Sequence, residues 1–251
     1  VSNSLGVLYG LKPNSQLVIL GDHLQMPPIH QVKPPLHIEY NVGSFLDYLR
    51  KRHNVIPKML NVNYRSTKNI VDYIKTLGYK DLESSKGSAS FTINDDVIIL
   101  NPYKSNFKNE ELFTNILKPE YEVISITHYD DLSSQANAFE AELVASTIIE
   151  AYNSFYNNQN IELYSKHFWE KEIGVVTPHK AQKVMISKLL YKIFPNYKQY
   201  IDNAIDTVEK FQGSQRKFII VSFKKIPFFC FFCTFFIFIS KFYIFIKSIY
   251  S

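Results

Sequence analysis

The 251 residues carry a formal charge of +5, are 46% hydrophobic and 15% aromatic, and include two cysteines. That length is ample for a packed core in one large domain or two smaller ones. The ordinary apolar and charged shares exclude disorder of the whole chain, and two cysteines exclude a disulfide scaffold or a four-thiolate zinc site. The averages conceal a partition. Residues 223–251 hold 10 of the 20 Phe, both Cys (Cys230 and Cys233), four Lys and no acidic residue. Residues 1–222 keep 24 basic and 23 acidic residues, a balance of +1 that gives no global electrostatic case for nucleic acid. The chain begins at Val1, has its first methionine at Met26 and opens with no charged-then-apolar signal, so its N-terminus is expected to be an internal cut.

In chain order, residues 16–20 (QLVIL) read as a strand running into Gly21-Asp22. Pro27-Pro28 and Pro34-Pro35 bracket a polar stretch that reads as an interdomain linker. Residues 58–62 (KMLNV) form the next strand, which leads through Asn63-Tyr64-Arg65-Ser66 into a helix with Ile70, Val71 and Ile74 on one face. Residues 82–90 (LESSKGSAS) and 153–160 (NSFYNNQN) read as exposed loops. Between them, Ala141, Val144, Ala145, Ile148, Ala151, Tyr152 and Phe155 keep one apolar stripe over four helical turns. Residues 172–176 form a strand into Thr177-Pro178, and Ile186, Leu189, Leu190, Ile193 and Phe194 mark the helix that follows. Residues 204–208 and 218–221 flank the turn signal Gln212-Gly213-Ser214. Short Val- and Ile-rich runs alternating with helices indicate an α/β fold with a parallel sheet. Both helical stripes read as core packing and say nothing of a cofactor.

Ligands of open α/β sheets sit beyond the C-terminal ends of the strands, where helix N-termini present free N–H groups. Each polar cluster falls at such a place. Asp22 and Gln25 follow the first strand and can hold a water or a metal-bound phosphate oxygen; a turn led by Asp22 and closed by Pro27 is the plainer reading. Arg65 lies at a strand–helix junction with Ser66 or Thr67 available as N-cap, and its planar fork suits two phosphoryl oxygens. Tyr64 beside it can stack on a base or be a half-buried surface residue. Thr177 reads as the N-cap of the next helix with Pro178 in its first turn, an arrangement that caps the helix whether or not His179 and Lys180 touch a phosphate. Gln212-Gly213 reads as a turn from which the Gln can reach a ligand.

Singly these clusters are weak, but their order is specific. Gly21-Asp22-x-x-Gln25-x-Pro27-Pro28 is followed by Asn63-Tyr64-Arg65-Ser66 and then Asn137-x-x-Glu140-Ala141-x-x-Val144. Val176-Thr177-Pro178-x-x-x-Gln182 and Val208-x-x-Phe211-Gln212-Gly213 complete the series. Over residues 15–222 this resembles the C-terminal half of superfamily 1 helicases, within the group that contains the nonsense-mediated-decay helicase and its DNA-helicase relatives. The resemblance implies a second RecA-like domain over 58–222, the end of the first RecA-like domain over 1–28 and a linker region over 29–57. It implies that Gln25 senses the γ-phosphate, with Asp22 beside it, and that Tyr64 stacks on adenine while Arg65 acts as an arginine finger. Thr177, His179 and Lys180 would touch the backbone of single-stranded DNA or RNA, and Gln212 and Gly213 would couple that strand to the nucleotide. ATP with magnesium would be the cofactor, and hydrolysis would drive translocation.

Departures from the family pattern shape the expectation. No Gly-x-x-x-x-Gly-Lys-Ser/Thr loop occurs, and the Asp-Glu pair that would hold magnesium is missing, so the phosphate loop and metal ligands are expected in a missing N-terminal RecA-like domain. Gln215 stands where the family usually has a Glu that contacts the ribose. The family's final Arg-bearing motif gives way to the tail at 223–251. There, residues 226–246 carry one charge, Lys241, and are long enough to span a bilayer. An anchor, a buried strand pair and a read-through of non-coding sequence are the three readings, and the read-through is the expected one because Phe, Ile, Lys and Tyr have A/T-rich codons. The overall expectation is a helicase piece, inactive alone, in the nucleus or cytoplasm rather than a membrane. A non-catalytic nucleic-acid- or partner-binding remnant and a tail-anchored protein stand as alternatives.

Overall fold

Charge order along the chain sets the first helix. Helix α1 (Phe45–His53) has Asp47 in its first turn and Arg50, Lys51, Arg52 and His53 in its last, which complements the helix dipole. Asn54, at φ 51°, follows it in the left-handed conformation common after a helix C-terminus. The computed structural model describes residues 9–22, 24, 45–88, 94, 96–109, 111–128, 136–211, 214–223 and 233–239. Two compact units meet in the sequence between Asn61 and Val62.

In the first unit, the strand expected over 16–20 does not form: these residues have no regular secondary structure, and Val18 and Leu20 are exposed. A strand of that composition needs ladder partners and cover on both faces. Among the described residues of this unit there is no strand to pair with it.

The second unit opens on a small parallel pair, β1 (Val62–Asn63) with β2 (Glu83–Ser84), joined through α2 (Lys68–Thr76). The strand expected over 58–62 is reduced to β1, with Met59 and Leu60 exposed. Part of the loop expected over 82–90 is strand β2. Helix α2 buries Ile70, Val71 and Ile74, the face the sequence marks.

The main sheet has the order β3-β7-β6-β4-β5. Strands β4 (Ile173–Thr177), β5 (Ile205–Thr207) and β6 (Phe218–Ser222) run parallel, with Val175 opposite both Ile205 and Ile220. Every residue of β4 and β6 is buried, as continuous apolar runs in a parallel sheet require. Strand β3 (Val123–His128) is one the sequence reading passes over. Strand β7 (Cys233–Ile239), from the tail, runs antiparallel to both β6 and β3. Among the described residues no helix is long and apolar enough to cross a membrane.

The helices around this sheet are α3 (Leu112–Ile116), α4 (Ala138–Ser154), α5 (Ile161–His167), α6 (Lys180–Ile193), α7 (Lys198–Ala204) and α8 (Val208–Phe211). Helix α4 is buried on more than its apolar stripe, because the segment after β2 wraps its polar side. Asn101 Nδ2 donates to Ser146 Oγ (2.8 Å) and Glu150 Oε1 (2.8 Å), and Lys104 Nζ pairs with Glu150 at 2.9 Å. Asn153, placed by sequence in an exposed loop, is buried at the helix end, where its Oδ1 accepts from the amides of Ile98 and Ile99. A one-turn π-helix (Phe168–Glu172) carries the sole tryptophan, Trp169, into an aromatic cluster with Phe168 and Phe194. The result is a mixed α/β unit with parallel strands and flanking helices, the architecture of a RecA-like helicase domain.

Candidate functional site

The turn that carries Tyr64 and Arg65 is built by Asn63. Its Oδ1 accepts from the amides of Arg65 (2.8 Å) and Ser66 (2.8 Å), an Asx-type turn that lifts the two side chains out of the ladder. Thr67 takes the N-cap position of α2 without capping it through its side chain. Its hydroxyl donates instead to Glu122, tying the start of α2 to the residue before β3. Strand β2 holds the turn from the other side: Ser85 N donates to Asn63 O (2.9 Å) and Ser84 Oγ to Ser66 O (2.7 Å). Lys86 Nζ reaches back to donate to the carbonyl of Arg65 at 3.0 Å.

Over this turn lies an open cavity of about 470 Å³, lined by Val62, Asn63, Tyr64, Arg65, Leu82, Lys86 and Gln215. Its volume falls within the range of small-molecule sites. Three of the residues singled out from sequence, Tyr64, Arg65 and Gln215, meet here although Gln215 is 150 positions from Arg65. Tyr64 is 75% exposed, so one ring face is available for stacking. The lining holds two cationic side chains, two amides, a phenol and two aliphatic groups, and no carboxylate, a donor-rich set that suits a polyanion with a flat apolar part.

Gln215 is held by its neighbour. Arg216 donates from its Nη1 to the Gln215 carbonyl at 2.8 Å and lays its guanidinium over the Phe211 ring at 5.6 Å. Burial of the guanidinium lowers the Arg216 pKa from its ordinary value, partly opposed by Glu170. Phe211 and Arg216 both pack on the backbone of Gly174 in β4, where a Cβ would lie 2.5 Å from Phe211 Cζ and 2.8 Å from Arg216 Cγ.

The second cluster lies at the end of β4. Thr177 is the last residue of the strand and is fully buried, and the N-cap of α6 is His179, a correction to the cap expected at Thr177. Thr177 Oγ1 accepts from the His179 amide at 3.5 Å, while His179 and Lys180 are exposed at the helix start. Behind them is a buried polar network. Gln182 accepts from Asn137 N (2.7 Å) through Oε1, and its Nε2 donates to Asn137 O and to Ser222 Oγ, both at 3.3 Å. Ser222 Oγ in turn donates to Glu140 Oε1 at 2.6 Å, and Asn137 caps α4 by accepting from Glu140 N at 2.8 Å. The sequence pattern Asn137-x-x-Glu140 with Gln182 is thus a structural lock that joins α4, α6 and the end of β6.

Asp22 forms the turn that its composition suggests, accepting from Leu24 N at 3.0 Å, and it belongs to the first unit. Gln25, Gln212 and Gly213 lie outside the described residues. Sequence reasoning missed Val62, Asn63, Leu82 and Lys86 as lining residues. An Asn directly before Tyr64-Arg65 is a turn signal that marks Asn63 and Val62 reads only as a strand residue, whereas nothing in the run LESSKGSAS marks Leu82 or Lys86.

Comparison with known proteins agrees with this architecture. A family model described as AAA domain matches residues 42–226. DNA polymerase alpha-associated DNA helicase A of Saccharomyces cerevisiae is 26% identical over 220 residues, covering 82% of this chain and 29% of that protein. The DNA replication ATP-dependent helicase/nuclease JHS1 of Arabidopsis thaliana is 24% identical over 216 residues, with 83% of this chain and 14% of its own length covered. Its counterpart dna2 of Schizosaccharomyces pombe is 24% identical over 225 residues, again 83% of this chain and 14% of that protein. The chain therefore spans less than a third of the length of these relatives. With the family model covering most of the chain, the motif series in family order and a RecA-like sheet beneath it, the chain belongs to the AAA domain family and carries a superfamily 1 helicase-like region.

Proposed function

We propose that this chain is the second RecA-like half of an ATP-dependent helicase that acts on single-stranded nucleic acid. The observation that carries the reading is the meeting of Tyr64, Arg65 and Gln215 around one cavity. Tyr64 offers a ring face to adenine, Arg65 offers its fork to the phosphates, and the Gln215 amide can contact the ribose in place of a carboxylate. ATP with magnesium fits this lining as a polyanion with a flat base, and when bound it would supply the free energy of phosphoryl transfer. Asp22 and Gln25 are proposed to sense its γ-phosphate, and Gln212 and Gly213 to couple it to the strand. The 251 residues contain no phosphate loop, so turnover is proposed to require one from a further domain.

His179 and Lys180, exposed at the start of α6, are proposed to contact the strand's phosphates, with buried Thr177 setting the turn that presents them. DNA is favoured over RNA because the relatives are DNA helicases by name, and a nuclear or cytoplasmic location rather than a membrane goes with that reading. The test is fluorescence anisotropy of the purified chain with a labelled single-stranded oligonucleotide, with and without ATP, alongside an ATPase assay. The reading expects salt-sensitive strand binding that ATP modulates, with turnover only when a phosphate-loop domain is supplied. Supplied turnover that survives Arg65→Ala refutes the role given to Arg65.

A further inference from the structure

We propose that Lys86 is a positioning residue for Arg65 and a second cation on the phosphate side of the same cavity. The inference rests on the nucleotide reading above and adds to it a residue that neither the motif series nor the spacing of the sequence selects.

Three observations carry it. First, Lys86 Nζ donates to the backbone carbonyl of Arg65 at 3.0 Å, across 21 positions of sequence. A charge-assisted bond to the carbonyl of the residue itself fixes where the Arg65 side chain starts, which a bond to its guanidinium would not do. Second, Lys86 is itself fixed. Its amide donates to Ser84 Oγ at 3.0 Å, Ser84 Oγ also bonds to Ser66 O at 2.7 Å, and β2 pairs with β1 directly before both turns. The Asn63–Ser66 turn and the Ser84–Lys86 turn therefore form one stitched unit. Third, Lys86 lines the cavity and has no carboxylate partner among the described residues. An ammonium has three N–H donors; one is used on the Arg65 carbonyl and two remain for an anion. Lys86 adds a second cationic side chain to a lining that holds no carboxylate, which favours a ligand with more than one negative charge. A di- or triphosphate is the anion of matching length, because it offers several oxygens in a row to an ammonium and a guanidinium from adjacent turns.

The test uses the full 251-residue chain and isothermal titration with ATP and with adenosine. Lys86→Met is expected to weaken ATP binding roughly tenfold, the scale of one hydrogen bond to a charged group, while leaving adenosine binding and the melting temperature unchanged. Lys86→Arg, which restores the charge and donors, is expected to recover most of the ATP affinity. In a double-mutant cycle, Lys86→Met with Arg65→Ala is expected to lose less than the product of the two single losses, because Lys86 acts partly through Arg65. Equal losses for ATP and adenosine, or losses that multiply, overturn the proposal and leave the nucleotide reading intact. A wild-type chain that binds neither ligand overturns the nucleotide reading and this inference with it.

Discussion

Replacing Gly174 by Ala tests whether β4 and the cavity are coupled through Phe211 and Arg216. An added Cβ would stand 2.5 Å from Phe211 Cζ, 2.8 Å from Arg216 Cγ and 3.3 Å from Phe211 Cε2. Carbon atoms pack at about 3.5–4.0 Å, so the ring must retreat by about 1 Å. Phe211 is only 5% exposed and lies under the Arg216 guanidinium, so the two side chains have to move together. Overpacking of this kind costs about 1–3 kcal/mol. Ala gains about 0.5–1 kcal/mol over Gly within a strand, so the middle of the two ranges leaves a net loss of about 1 kcal/mol. For a chain of this size that lowers Tm by about 2–4 °C. The assay is thermal unfolding followed by circular dichroism and by the fluorescence of Trp169, the sole tryptophan, four residues before the start of β4. Because Arg216 also holds the Gln215 carbonyl, ATP affinity should fall in the same variant. Gly87→Ala is the control, since a Cβ there meets nothing within 4 Å and should leave Tm unchanged or slightly raised. A Gly174→Ala chain as stable as wild type would refute the packing argument.

Burial raises the pKa of the Tyr164 hydroxyl, and that of Tyr152, above the ordinary value near 10. The folded state then keeps protons that the unfolded chain releases, so this stability is complete below about pH 10 and is lost as pH rises beyond it. Tyr164→Phe removes the 2.6 Å hydrogen bond to the Tyr152 carbonyl and should cost about 1 kcal/mol at neutral pH. Urea unfolding at alkaline pH should show a shallower decline for this variant, and an unchanged slope would contradict the assignment. Asn137→Ala removes the α4 cap and should cost about 0.5–2 kcal/mol in the same urea assay, whereas a neutral effect would show that the cap is redundant. Lys180→Ala should weaken single-strand binding and reduce the dependence of log affinity on log salt by about one unit. If the salt slope stays the same, Lys180 does not contact phosphate.

Much of the fold was legible because its strongest signals are local. Ile70, Val71 and Ile74 all fall on the buried face of α2, and the runs at 172–176, 204–208 and 218–221 become β4, β5 and β6 within a residue or two. Uniformly apolar parallel strands announce themselves by composition. The failures follow from partners the sequence cannot show. QLVIL at 16–20 has strand composition but no described neighbour to pair with, so its backbone stays irregular. Residues 83–84 lack strand composition yet pair with β1, because a parallel partner is brought alongside by α2. Thr177 has the chemistry of a cap, but β4 extends through it and moves the cap position to His179.

The site divides along the same line. Tyr64, Arg65 and Gln215 could be chosen because each belongs to a motif whose order along the chain is preserved, even though only tertiary folding brings the third to the other two. Lys86 could not, because its role depends on one bond to the Arg65 carbonyl across the β1–β2 pair, and a Lys in a Ser- and Gly-rich run has no periodicity to mark it. The tail shows the limit most sharply. Residues 226–246 are almost all apolar, with Lys241 the one charge, so they satisfy the length rule for a spanning helix, about 30 Å at 1.5 Å per residue. They equally satisfy the composition of a strand buried on both faces. Composition cannot separate the two, because both bury apolar surface and differ only in where the backbone donors go. In β7 seven residues suffice: six have register partners in β3 and five in β6, so the ladder is closed on both edges by protein. A segment of that kind is specified by the gap between two strands, and a gap is a property of the sheet that no window of the sequence contains.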